Sequence, residues 1–125
     1  MAPGALAYVG DGVWELHVRA KACRTDSAMR PAQLYETTRR MVQAEAQARA
    51  LPTLELSHTE QEVARWGGNA TLGSVPRRLR AKEGIAVYRA ATGFEALLGW
   101  LYMTDQRERL DEVMENAVGA LDAAE

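Results

Sequence analysis

Apolar residues recur at spacings of three and four along nearly the whole chain, and no segment shows the strict apolar–polar alternation of a strand. The pattern predicts an all-α domain of about five main helices. A first helix is expected from about Pro3 to Ala22, with Leu6, Val9, Val13, Leu16 and Ala20 as its buried stripe. Thr25-Asp26-Ser27 breaks it. Pro31 suits the first turn of a second helix, where its missing N–H costs nothing. That helix is expected to continue to about Leu51, where Pro52 ends it, with Leu34, Thr38, Met41, Ala44 or Glu45, and Ala48 on one side. Ser57-His58-Thr59-Glu60 reads as a capping box that opens a third helix, running to about Trp66. Gly67-Gly68-Asn69 is expected to stop it, leaving a long loop over about 67–83. A loop of that length in a small domain is usually functional or mobile. A fourth helix is expected from about Glu83 to Met103, and a fifth from after Thr104 to near Ala123.

Composition sharpens this picture by exclusion. The 125 residues allow one domain, taken as 1–125, and 47% apolar residues suffice for a real core. A single cysteine, Cys23, rules out an internal disulfide or a cysteine-rich zinc site. Two histidines, His17 and His58, are too few for a histidine metal cage. No apolar run approaches the ~20 residues of a membrane span, and the first residues carry no signal-peptide pattern. A soluble cytoplasmic protein with no membrane partner is therefore expected.

The net charge of −2 hides an uneven distribution. Residues 65–103 hold six basic side chains, Arg65, Arg77, Arg78, Arg80, Lys82 and Arg89, against two acids. Residues 104–125 hold two basic and seven acidic ones. A basic cluster of this kind meets the needs of a phosphate backbone, and equally those of a solvated loop.

Two acids stand out. Asp11 has Ala7, Tyr8, Trp14 and Glu15 as its helical neighbours, and Glu95 has Ala91, Thr92, Leu98 and Gly99. Both carboxylates are thus expected on mostly apolar or small faces, where an unpaired charge is expensive. A shared divalent cation would compensate both, and Mg²⁺ takes one or two protein carboxylates together with waters and phosphate oxygens. Ordinary pairing, for example with Arg89 or Tyr88, would compensate them as well. Gly10, Gly12, Gly93 and Gly99 each cost about 1 kcal/mol against alanine in a helix, which is reasonable where two helices must approach closely.

The tract Leu6-Ala7-Tyr8-Val9-Gly10-Asp11-Gly12-Val13-Trp14-Glu15-Leu16, followed by Val18-Arg19, resembles the first motif of the Mini-III ribonucleases. Phe94-Glu95-Ala96-Leu97-Leu98-Gly99-Trp100-Leu101-Tyr102, preceded by Tyr88-Arg89, resembles their second. The likeness extends through Arg30-Pro31 to Leu51 and through Gly68-Asn69-Ala70, covering almost the whole chain. The resemblance implies a ribonuclease III-like endonuclease fold without a separate double-stranded RNA-binding domain, acting as a two-fold homodimer. It implies Mg²⁺-dependent cleavage of double-stranded RNA, with Mn²⁺ as a substitute, giving 5′-phosphate and 3′-hydroxyl ends. It further implies a role in precursor 23S ribosomal RNA maturation, with an assisting ribosomal protein as a further partner. Asp11 and Glu95 are the implied metal ligands and catalytic residues. Arg65, Arg77, Arg78, Arg80, Lys82 and Arg89 are the candidate RNA contacts.

Departures from the family pattern are specific. Full-length ribonuclease III carries a Glu four residues before the Asp, where this chain has Ala7. It carries an Asp three residues before the Glu, where this chain has Thr92. The Thr92 hydroxyl can still hold a water at the metal. The Arg-rich stretch usual before Asn-Ala reads Arg65-Trp66-Gly67-Gly68 here. These losses leave open a second reading, a non-catalytic helical dimer that binds structured RNA, and a third, a helical interaction module. Glu15 is expected to pair with Arg19 rather than extend the acidic site. Glu45 and His58 are expected at the surface and His17 at or near it. Cys23 lies beside Lys21 and Arg24 without a catalytic partner. Trp14, Trp100, Tyr8 and Tyr102 are expected in the core or a dimer interface.

Overall fold

The computed structural model describes residues 1–70 and 75–124. Among these the chain is all-α, with six α-helices. They are α1 (Pro3–Thr25), α2 (Pro31–Val42), α3 (Ala44–Ala50), α4 (His58–Gly68), α5 (Lys82–Met103) and α6 (Arg107–Ala123). Short 3₁₀ turns lie at Leu51–Thr53 and Arg77–Leu79. No described helix is long and apolar enough to cross a membrane.

α5 is the central helix and packs on α1, α3 and α4. Its apolar run explains this position, since Phe94, Leu97, Leu98 and Leu101 are all fully buried. They meet Trp14 and Val18 from α1 and Val113, Ala117 and Val118 from α6 in one core. Trp14 and Phe94 meet edge to face, with ring centroids 5.1 Å apart. A Schellman-type closure ends α5: Gln106 N–H donates to Leu101 O, Asp105 N–H to Tyr102 O, and Asp105 takes φ 58°.

Three expectations need correction. The second helix is not continuous to Leu51. Gln43 is extended (ψ 150°), so α2 stops at Val42 and Gln43 caps a separate α3. The break is sustained because side chains take up the freed carbonyls at the end of α2. Trp14 Nε1 donates to Met41 O at 3.0 Å, and Gln47 Nε2 donates to Val42 O at 3.1 Å. The third helix runs through Gly67 and Gly68 instead of stopping at them, so the loop is shorter than expected. Residues 71–74 of that expected loop lie outside the described residues. Finally, the buried stripe of α1 is Leu6, Ala7, Gly10, Trp14, Val18 and Ala22, while Leu16 is exposed. Contact with α5 centres on the small residues Ala7 and Gly10, which turns the larger aliphatic residue outward.

The capping box is formed as expected. Ser57 Oγ accepts from Glu60 N–H at 3.1 Å, and Glu60 Oε1 accepts from Ser57 N–H at 2.8 Å. Glu60 is also buried against Arg109, which joins α4 to α6 through a 2.8 Å ion pair.

Candidate active site

Asp11 and Glu95 reach one site because α1 and α5 cross in near backbone contact. A methyl group added at Gly10 would land on the Glu95 carbonyl, and one added at Gly99 on the Leu6 carbonyl. Only glycine leaves room for that crossing. Gly93 makes a similar approach to Ala64 on α4, whereas Gly12 faces open space and has no such role.

Both carboxylates line one cleft of about 740 Å³, together with Tyr8, Trp66, Asn69, Arg89 and Thr92. They are not equally enclosed. Asp11 is exposed, against the expectation of an embedded face, and Glu95 is half-buried. Burial pushes the Glu95 carboxyl up to about 9, helped by a hydrogen bond to Asp11 and by the Asp11 charge, and opposed by a hydrogen bond from Gln47. Two carboxylates facing one cleft supply the hard oxygen ligands that a divalent cation takes. The donor set fits such an ion with two carboxylates only, since no group of three or more His, Cys, Asp or Glu able to hold a metal occurs among the described residues.

The neighbouring residues fall into place as follows. Thr92 lines the cleft and its Oγ1 donates to Tyr88 O at 2.9 Å, leaving its oxygen lone pairs available. Ala7 is buried. Glu15 pairs with Arg19 at 3.0 Å. His58 is exposed, whereas His17 is half-buried and lies 3.1 Å from Glu115. Trp14 is core, while Tyr8 and Tyr102 are exposed. Cys23 is exposed.

The six candidate RNA contacts are not equivalent. Arg89 lies in the cleft, half-buried, with Nη1 donating to Gly68 O at 3.1 Å. Arg77 and Lys82 are exposed at the entry to α5. Arg80 is exposed, with Nε donating to Val75 O at 3.3 Å. Arg65 is exposed and pairs with Glu62. Arg78 makes a two-pronged pair with Glu45, at 3.1 and 3.0 Å, which holds the Glu45 carboxyl below its ordinary value. Glu45 is accordingly half-buried instead of a free surface acid.

Sequence reasoning missed Gln47. It is fully buried on α3 and donates from Nε2 to Glu95 Oε2 at 3.4 Å. Its one sequence signal is a polar residue between Ala46 and Ala48, which a surface position explains equally well.

The two helices thus cross with a carboxylate on each, facing a cleft that also holds Arg89. The Ribonuclease III domain family matches residues 4–106. Among curated relatives, Mini-ribonuclease 3 of Gloeobacter violaceus is 45% identical over 113 residues, 88% of this chain and 77% of that protein. Mini-ribonuclease 3 of Symbiobacterium thermophilum is 41% identical over 117 residues, 92% of this chain and 86% of that protein. A crystal structure of a protein from Fusobacterium nucleatum superposes with a TM-score of 0.80 at 20% identity, covering 94% of this chain and 92% of that one, which supports the fold. The chain belongs to the Mini-ribonuclease 3 branch of the ribonuclease III family, and it is an endoribonuclease.

Proposed function

We propose that the chain hydrolyses phosphodiester bonds of double-stranded RNA, with Asp11 and Glu95 holding Mg²⁺ (or Mn²⁺) as the catalytic centre. The observation that carries this reading is the pair of carboxylates brought into one cleft where α1 and α5 cross. When bound, the cation would activate water and stabilise charge on the phosphate and leaving oxygen. Asp11 and Glu95 supply its protein oxygens, and products with 5′-phosphate and 3′-hydroxyl ends are expected. Thr92 offers a hydroxyl acceptor in the cleft. Arg89, with the exposed Arg77, Arg80 and Lys82, supplies positive charge toward the RNA backbone.

The working unit is a two-fold homodimer, which would present one site to each strand of a duplex. Tyr8, 84% exposed, and Leu16, 68% exposed, lie eight residues apart on one outward face of α1 and support this assembly. The relatives' names support an RNA substrate, and precursor 23S ribosomal RNA in the cytoplasm, cut with the aid of a ribosomal protein, is the specific proposal.

Cleavage of duplex RNA in Mg²⁺, followed on a gel, tests the reading. Asp11→Asn is expected to lose at least about a hundredfold in rate, the scale set by removing one catalytic electrostatic group, while still binding RNA. Equal rates for the variant and the wild type, or wild-type cleavage undiminished by a chelator, would refute it.

A further inference from the structure

Gln47 is 1% exposed, and its amide serves two acceptors at once. Nε2 donates to Val42 O at 3.1 Å and to Glu95 Oε2 at 3.4 Å. The first acceptor exists because the chain breaks at Gln43 and frees the carbonyl at the end of α2. Two acceptors on one side fix the amide's orientation. The amide oxygen, Oε1, is then left buried with no hydrogen-bond partner. A buried, unsatisfied acceptor is costly, and an apolar side chain of similar length would avoid it. What the amide provides in return is one N–H donated to Glu95. α3 is itself braced for this task, with Ala46 and Ala50 in the core and Glu45 tied to Arg78.

The geometry points to Gln47 as a positioning residue: it holds one oxygen of Glu95 so that the carboxylate meets a divalent cation, together with Asp11, in a set orientation. Groups that orient metal ligands without touching the metal typically govern affinity by 10–100-fold. This inference rests on the cation site proposed at Asp11 and Glu95.

The test needs neither RNA nor turnover. Mn²⁺ is titrated into the metal-free chain and read by electron paramagnetic resonance. Gln47→Met keeps the side chain's length and removes the amide. The expected result is a cooperatively folded variant whose Mn²⁺ Kd is raised about 10–100-fold. A folded variant with the wild-type Kd overturns the inference. A second measurement uses the wild type alone and stands even if Gln47→Met does not fold. The Gln47 side-chain amide signal in a ¹H–¹⁵N spectrum is expected to move on adding Mg²⁺, while those of the exposed Gln33 and Gln61 stay. A Gln47 signal unmoved at saturating Mg²⁺ overturns the inference while leaving the cation site intact. A wild-type chain that binds no Mn²⁺ overturns the cation site itself, and this inference with it.

Discussion

Burial and the nearby Asp11 both favour the neutral form of Glu95 and push its carboxyl from the ordinary 4.5 up to about 9. Between those values the native chain holds a proton at Glu95 that the unfolded chain has released. Linkage then makes the metal-free protein lose stability from this group as pH rises through that window, with the full contribution kept below 4.5. Glu95→Gln removes the titration while keeping the shape. The melting temperature of the variant relative to wild type should therefore climb with pH in chelator, as read by circular dichroism. Saturating Mg²⁺ should raise the wild type and leave the variant unmoved. A difference independent of pH would refute this account. At this scale Glu95 stands out in the sequence as a charge among small and apolar neighbours, and it is half-buried, whereas Asp11, read by the same argument, is exposed. Gln47 does not stand out, because its role depends on a chain break and on a partner 48 residues away.

Helices in this fold are placed by where backbones can touch. Gly10 sits against the Glu95 carbonyl and Gly99 against that of Leu6. Gly10→Ala gains helix propensity but must push α1 off α5. A net loss of about 1–3 kcal/mol is expected in denaturant unfolding, the usual scale of overpacking, with cleavage reduced as well. Gly119→Ala is the control. It lies on the exposed side of α6 with open space around it, and should gain about 0.5–1 kcal/mol. Equal effects at both positions would show that propensity, not approach, governs Gly10. The break at Gln43 belongs to this scale too. Local pattern reads straight through it, because the Trp14 and Gln47 side chains that stabilise the freed carbonyls are supplied by packing.

Across the whole molecule, α1, α4 and α5 enclose the acidic cleft, and the Arg77–Leu79 turn brings basic charge beside α3. One outward face of α1 remains apolar. Leu16 and Tyr102 also border a common groove next to it. Leu16→Glu is expected to leave helicity intact, since Leu16 contributes little to the protomer's core, and to convert the proposed dimer to a monomer in sedimentation velocity. A wild type that sediments as a monomer at micromolar concentration would exclude the dimer.

The sequence by itself determined the all-helical class, most helix positions and the Ser57–Glu60 cap. Each of these is encoded in spacing. Tertiary structure alone decided which face of α1 is buried, where the second helix breaks, which basic residues are already paired with acids, and that Gln47 reaches Glu95. Those outcomes depend on contacts between segments far apart in the chain. Small residues let backbones meet, and the resulting crossing, rather than any local pattern, sets which side chains share the cleft.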